Sequence, residues 1–357
     1  MKPIRQLHYN MKNYASHLIN ASASIRDGLI AINRLSDQIL NLFVLDDDEH
    51  LIGTLTDGDI RRSLIKDIQL TDSIKLAMNS NFNAIQSDQI DTIKIKFYRE
   101  KGIKLLPILD FEGKIFKVYN LINKYSILPI SAVLMAGGKG ERLKPLTNDT
   151  PKPLLLVGDK PIIDYNIDQL LKYGVENIHV TINYLAEQME YHFEEERDGI
   201  KINCIREPEY LGTMGSIKFI KNIQHDHVLV MNSDLFTNID FEEFYEHFEN
   251  SKADLSVAAI PYSVSIPYGI LELEDKNIKS LHEKPTYNYF ANGGIYLVKR
   301  KLLDLIPENA FFNATDLIDL LIAKSFKVVR FPLIGYWIDI GNPEDYKRAQ
   351  EFAKHIK

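Results

Sequence analysis

A single cysteine, Cys204, stands in this chain of 357 residues. It excludes an internal disulfide and suits a reducing compartment. It lies in the apolar alternation 200–205, where a buried, inert thiol is expected. Positive charge is also short: 42 Lys and Arg against 49 Asp and Glu give a net charge of −7. That balance excludes a general nucleic-acid binder, which needs a basic field to collect phosphate backbones. No apolar run approaches the ~18 residues of a membrane span, and the N-terminus carries no signal-peptide core, so a cytoplasmic protein is expected. The ten histidines show no ligand spacing. His282-Glu283 opens no zinc-protease motif, because Pro285 breaks any helix and no histidine follows four residues on. What is present is ordinary globular stock, 45% hydrophobic and 25% charged, in a length suited to two or three domains.

The apolar run 130–135 leads into Ala136-Gly137-Gly138-Lys139-Gly140-Glu141-Arg142-Leu143. A buried strand ending in glycines brings bare backbone N–H groups against phosphates, and Arg142 adds charge. Pro151-Lys152-Pro153 sets a second cation between rigid residues. The spacing is neither a P-loop nor a dinucleotide fingerprint, because Leu143 stands where the latter needs its third glycine. The segment reads as a nucleoside-triphosphate cradle. A mobile glycine turn is the competing interpretation.

Upstream, Phe43-Val44-Leu45-Asp46 with Leu51-Ile52-Gly53-Thr54-Leu55 resembles Pro107-Ile108-Leu109-Asp110 with Ile115-Phe116-Lys117-Val118-Tyr119, at an offset of 64 residues. Each copy reads as strand, acidic turn, strand after a helical pattern (25–35 and 90–101). Two units this small pack as one pseudo-symmetric module. The arrangement, with Thr56-Asp57-Gly58-Asp59-Ile60-Arg61-Arg62, resembles a pair of CBS domains. The resemblance implies that Thr56 and Asp59 contact the ribose of an adenine nucleotide. The same offsets in the second copy fall on Asn120 and Asn123, which lack the carboxylate. The competing role for Asp59 is to cap a helix beginning near Ile60.

After a linker at 125–130, strands and helices alternate. A helix opens at Lys160-Pro161 with Ile163, Ile167, Leu170 and Leu171 on one face, and Gly174 closes it. Strand 177–182, helix 185–196, strand 200–205, helix 214–221 and strand 227–231 follow, with a last helix from Pro343. This βαβα wiring predicts an α/β fold with a mostly parallel, Rossmann-like sheet and ligands at the strand C-termini. Asp234 follows one such strand, and Asp339 lies in Gly335-Tyr336-Trp337-Ile338-Asp339-Ile340-Gly341 before the last helix. Two carboxylates on one loop face suit Mg²⁺, which takes few protein oxygens beside phosphates and water. Each alone is equally a turn or cap residue. In Glu283-Lys284-Pro285 a proline-fixed lysine suits a sugar phosphate and the glutamate sugar hydroxyls, although an exposed Glu-Lys pair is commonly solvated surface. Asn292-Gly293-Gly294-Ile295-Tyr296 is expected to begin another strand, with glycines that let a sugar ring lie on the backbone.

In this order the motifs, with Leu211-Gly212-Thr213, resemble the sugar-phosphate nucleotidyltransferases, the nucleotide-sugar pyrophosphorylase family. The resemblance runs from Ser131 to the C-terminus and divides the chain into tandem regulatory CBS domains (1–124), a linker (125–130) and a nucleotidyltransferase domain (131–357). It implies that Arg142, Lys152 and Asp234 are catalytic and that Asp234 and Asp339 bind Mg²⁺. Leu134, Ala136, Gly137, Gly138, Gly140, Glu207, Gly212 and Thr213 would hold the nucleotide. Gly269, Glu283, Lys284, Asn292 and Gly293 would hold the sugar phosphate. Ser233 departs from the family, where glycine is the usual residue before the metal aspartate.

The implied reaction is NTP plus sugar 1-phosphate to NDP-sugar and pyrophosphate. Glu207 falls where related enzymes present an amide to uracil or thymine. A carboxylate accepts two hydrogen bonds and matches guanine N1–H and N2–H₂, so GTP is favoured. Fusion to a CBS pair resembles the guanylyltransferases that make GDP-glucosamine in legionaminic acid pathways. Heptose- or mannose-1-phosphate guanylyl transfer and uridylyl or thymidylyl transfer are alternatives. Another is a nucleotide sensor with an inactive transferase-like domain. CBS pairs associate face to face in that family, which implies a homo-oligomer.

Overall fold

The computed structural model describes residues 14–35 and 39–355. The chain divides into two compact units, Met1–Ile127 and Leu128–Lys357.

The first unit repeats one pattern. Strand β1 (Leu18–Asn20) pairs in parallel with β2 (Asn41–Leu45), which pairs antiparallel with β3 (Leu51–Thr56); helix α1 (Ile25–Arg34) lies between β1 and β2 in sequence, and α2 (Asp57–Ile65) follows β3. The second copy is β4 (Ile85–Gln86), α3 (Thr92–Glu100), β5 (Leu105–Leu109) and β6 (Ile115–Asn120), with the same pairings and a register shift at the matching place, Val44/Leu45 and Ile108/Leu109. Phe43 and Leu51 of one copy share an apolar cluster with Leu105, Leu109 and Val118 of the other. Each copy also has a cluster of its own, around Ile25 and Leu55 in the first and Ile95 and Leu106 in the second. Helix α2 starts at Asp57, earlier than the sequence pattern indicates. Its cap is Thr56, whose hydroxyl accepts from Asp59 N–H, while the Asp59 carboxylate accepts from Thr56 N–H at 2.9 Å and Thr56 Oγ1 at 2.6 Å. The expectation that Asp59 is itself the cap is thereby corrected: it is the reciprocal partner within a capping box.

The second unit is built on a seven-stranded sheet. Its first half comprises β7 (Ile130–Ala136), the short β8 (Leu156–Val157) and β9 (Lys160–Pro161), α4 (Ile162–Lys172), β10 (Asn177–Ile182), α5 (Ala186–His192), β11 (Ile202–Arg206) and β12 (His227–Asn232). Then come β13 (Leu235–Thr237), α6 (Phe241–Asn250), β14 (Leu255–Ser265), the hairpin β15 (Ile270–Glu274) and β16 (Asn277–His282), and β17 (Thr286–Lys299). Helix α7 (Ala314–Ala323), β18 (Val328–Pro332), β19 (Trp337–Asp339) and α8 (Pro343–Ala353) complete it. The sheet order is β11-β10-β7-β12-β17-β14-β18, and four of its six pairings are parallel. One face packs on α4, with Ile163, Ile167, Leu170 and Leu171 all buried. The other face packs on α7 through Leu317 and Leu321.

Two sequence expectations are corrected. Residues 214–221 form a 3₁₀ segment, Gly215–Phe219, instead of an α-helix. Met214 N–H and Gly215 N–H both donate to Phe312 O, which ties the start of the segment to another loop. Residues 292–296 do not begin a strand; they lie in the middle of β17. Periodicity finds extended chain there but cannot locate its end, because β14 supplies partners upstream to Thr286.

The parallel strands β7, β10 and β12 end on one side of the sheet. That edge carries the candidate site. Among the described residues no helix is long and apolar enough to cross a membrane.

Candidate active site

β7 runs out of the core at Ala136 and delivers the glycine loop to a cleft of about 630 Å³. Two of its glycines, Gly137 and Gly140, are needed for space. A Cβ on Gly137 would come within 2.5 Å of a Glu207 carboxylate oxygen. Gly140 has φ +62°, and a Cβ on it would come within 2.9 Å of Thr147. Thr147 Oγ1 donates to Gly140 O at 2.9 Å and pins the turn. Gly138 has no atom within 4 Å of its notional Cβ, so its backbone faces open cleft. Bare backbone, two cations and room fit a polyphosphate.

The acid pair comes from two chain segments far apart in sequence. Strands β13 and β19 pair antiparallel with Leu235 opposite Asp339, and Ile340 N–H donates to Asp234 O at 3.2 Å. Both aspartates line the same cleft as Gly137, Gly138, Gly140, Arg142 and Lys152. Lys152 makes an ion pair with Asp234. The Arg142 guanidinium lies against Gly341, where a Cβ would approach it to 3.2 Å. Burial, and next the charge of Asp234, raise the Asp339 carboxyl above its ordinary value, against the opposing pull of Lys152 and Arg142. Two acids that repel across a partly buried cleft suit a divalent cation, which relieves that repulsion. Among the described residues no cluster of three or more His, Cys, Asp or Glu side chains forms a metal cage. Mg²⁺ needs none, since it takes its remaining oxygens from phosphate and water. Ser233, the departure from the family pattern, is buried and its hydroxyl donates to Met135 O at 2.7 Å. Its side chain is thereby tied to the strand, although the residue still lines the cleft.

On the other side of the glycine loop Glu207 is only 3% exposed. Its backbone N–H donates to Ile182 O at 2.9 Å, and its carboxylate accepts from Leu211 N–H at 3.2 Å. Burial pushes its carboxyl upward. Gly212 (φ +78°) and Thr213 also line the cleft. A Cβ on Gly212 would meet Phe312 O at 2.7 Å. The Thr213 hydroxyl accepts from Ala314 N–H at 2.9 Å, so that side chain fastens the loop to the start of α7.

The remaining expected residues stand elsewhere. Leu134 is fully buried in the core and does not line the cleft; its placement there follows from mid-strand alternation. Gly269 and Glu283 are neighbours at the base of the β15–β16 hairpin, with 3.0 Å between a notional Gly269 Cβ and the Glu283 carboxylate. Lys284 follows with φ +45°. Asn292 is exposed on β17, and Trp337 Nε1–H donates to Gly293 O at 2.9 Å, joining that strand to β19 two residues before Asp339. None of these five lines that cleft. Thr181, at the end of β10, and Tyr210 line it without having been singled out from sequence. The strand-end rule points to the first; no local signal marks the second.

Cys204 is half-buried, and burial takes its thiol up to about 11, consistent with an inert residue.

Residues 131–355 match the family described as nucleotidyl transferase. A D-glycero-alpha-D-manno-heptose 1-phosphate guanylyltransferase of Aneurinibacillus thermoaerophilus is 30% identical over 230 residues, 63% of this chain and 99% of that protein. A putative mannose-1-phosphate guanyltransferase of Sulfolobus acidocaldarius is 30% identical over 223 residues, and the match spans 61% of this chain but only 62% of the relative. Among solved structures, HddC from Yersinia pseudotuberculosis superposes with a TM-score of 0.50 at 28% identity, covering 63% of this chain and 100% of that one.

Proposed function

This chain belongs to the nucleotidyl transferase family, and from that premise we propose that it is a sugar-1-phosphate guanylyltransferase. The observation that carries this reading is the convergence of a glycine-lined polyphosphate bed, two opposed aspartates and a buried glutamate in one cleft. The relatives whose names specify guanylyl transfer to heptose and mannose 1-phosphates support the choice of GTP.

In the proposed reaction a phosphate oxygen of the sugar 1-phosphate attacks the α-phosphorus of GTP. The bond between that phosphorus and the α–β bridging oxygen breaks, and pyrophosphate leaves with the electron pair. The attacking phosphate is already an anion near neutral pH, so no general base is required. Arg142 and Lys152 neutralise and align the triphosphate, and backbone N–H groups around Gly138 hold it. Asp234 and Asp339 would hold Mg²⁺, which supplies charge neutralisation at the phosphates. Glu207 accepts from guanine N1–H and N2–H₂. Glu283, Gly269, Asn292 and Gly293 would orient the sugar, and Lys284 its phosphate.

Glucosamine 1-phosphate is the proposed acceptor, giving GDP-glucosamine; heptose and mannose 1-phosphates are the alternatives. A panel of four nucleoside triphosphates against these three sugar phosphates, scored by pyrophosphate release, tests the reading. GTP with glucosamine 1-phosphate is expected to react fastest. Release with no pair overturns the reading.

The first unit is proposed to be a regulatory CBS pair that holds an adenine nucleotide and contributes to homo-oligomer formation. Its support is the duplicated strand pattern and a cleft of about 1200 Å³ lined by Thr56 and Asp59 of one copy and Lys104 and Asn120 of the other. Asp59→Asn removes the carboxylate and is expected to weaken AMP or ATP binding about 10-fold, the value of one charged hydrogen bond. Calorimetry on the full chain measures it. Equal affinity in both proteins removes the assignment.

A further inference from the structure

Asp234 stands on a short turn, Ser233-Asp234, between the end of β12 at Asn232 and the start of β13 at Leu235. The turn lies outside the registers of both strands. The place of the Asp234 carboxylate therefore depends on what holds that turn. Ser233 is held by β7, since its N–H and its hydroxyl both donate to Met135 O. Ile340, the residue after β19, donates its N–H to Asp234 O. The remaining hold comes from a side chain of helix α4.

Asn166 is only 1% exposed, beside the buried Ile163, Ile167 and Leu170. Its Nδ2 donates to Leu235 O at 2.9 Å and to Ser233 O at 3.3 Å. These are the carbonyls immediately before and after Asp234. Carbonyls only accept, so the nitrogen of the amide must face them, and the two hydrogens of one NH₂ serve both. An aliphatic side chain would leave both without that donor, and a carboxylate would set its charge against two carbonyl dipoles. Three residues on, Gln169 Nε2 donates to Ile239 O at 2.6 Å.

Apolar contact also seats β13 on α4: the rings of Tyr165 and Phe236 meet edge to face at 4.9 Å. Such contact is non-directional and tolerates small slides of strand along helix. Hydrogen bonds to particular carbonyls do not, because they weaken steeply with angle and distance. A carboxylate that must meet a metal and a phosphate needs that precision, since a misplacement of about 1 Å can cost about 10² in rate. We propose that Asn166 is a positioning residue for Asp234: by holding both flanking carbonyls it sets where the carboxylate stands in the cleft. The proposal rests on the reading of Asp234 as a metal ligand.

Mn²⁺ alone, titrated into the full chain and followed by the electron paramagnetic resonance of the free ion, reads metal affinity apart from turnover. Asn166→Leu keeps a branched side chain without the donors. It is expected to weaken Mn²⁺ binding about 10-fold and to lower kcat with Mg²⁺ and GTP by about 10- to 100-fold, the usual effect of losing a partner that orients a metal ligand. KM for GTP should move far less. Gln169→Leu removes the same kind of bond further along the chain. It is expected to lower the melting temperature while leaving Mn²⁺ affinity and kcat near the wild type. Should Asn166→Leu melt too early to assay, Asn166→Ser, where water can fill the space of the amide, is read by the same criteria. Wild-type Mn²⁺ affinity and kcat in the folded Asn166 variant overturn the proposal, and so does an equal loss in Gln169→Leu. Asp234→Asn is titrated alongside. If it loses Mn²⁺ while the Asn166 variant does not, only the positioning role falls; if it binds Mn²⁺ and turns over like the wild type, the metal reading falls and the proposal with it.

Discussion

Asp234→Asn is expected to lower turnover with Mg²⁺ and GTP by about 10²–10³, the usual cost of one charged group that acts on the transferring phosphate. The amide keeps the shape of the side chain, and the β13–β19 pairing that fixes its backbone does not involve the carboxylate. The loss should therefore fall on kcat, with the melting temperature near that of the wild type. Asp234 has a second partner, Lys152, and the substitution frees that lysine. Affinity for GTP without metal should accordingly hold or improve while metal-dependent turnover collapses. Asp339→Asn should behave alike, and the rise in melting temperature expected from Mg²⁺ in the wild type should be lost in it. Turnover of Asp234→Asn equal to the wild type would remove the aspartate from the mechanism.

Glu207→Gln is expected to lower the GTP-to-UTP ratio of kcat/KM by about 10²-fold, because an amide offers one acceptor and one donor where guanine needs two acceptors. The same residue sets a pH dependence. Burial raises its carboxyl above the ordinary value, whereas guanine binds the ionised form. kcat/KM for GTP should thus fall on the acid side at a pH above the ordinary glutamate value, and that limb should vanish in Glu207→Gln. The stability effect has the opposite sign. A carboxyl raised in the folded state holds its proton more tightly than in the unfolded chain, so its ionisation costs stability as pH rises from the ordinary value through the raised one. Glu207→Gln without nucleotide should therefore melt no earlier than the wild type at neutral pH. An unchanged GTP-to-UTP ratio in the variant would end the guanine assignment.

Both expected results rest on residues visible in the sequence, yet for different reasons. Gly137, Gly138 and Gly140 could be read because a strand, its end and the turn are all local: the apolar run 130–135 and the glycines are consecutive. The apolar stripe of α4 was readable in the same way, since helical period alone puts Ile163, Ile167, Leu170 and Leu171 on one side. The duplicated strands of the first unit were legible through their constant offset, although not the capping box that gives Asp59 its partners.

Local pattern failed where one segment's shape depends on another. The segment after Met214 reads as helix but is held as a 3₁₀ turn by the Phe312 carbonyl. The chain at 292–296 reads as a strand beginning and proves to be mid-strand because β14 pairs further upstream. Tyr210 reaches the cleft with no sequence mark at all.

By itself the sequence determined the kinds of chemistry on offer: flexible backbone for phosphates, cations held by prolines, and acids at the ends of apolar strands. Side-chain type and period follow from neighbouring residues, so they need no knowledge of the rest of the chain. Only the tertiary structure decided that Asp234 and Asp339 line one cleft and that Glu207 is buried against Gly137. Those outcomes depend on which strands pair and in what register, and hydrogen bonds between distant segments carry that information.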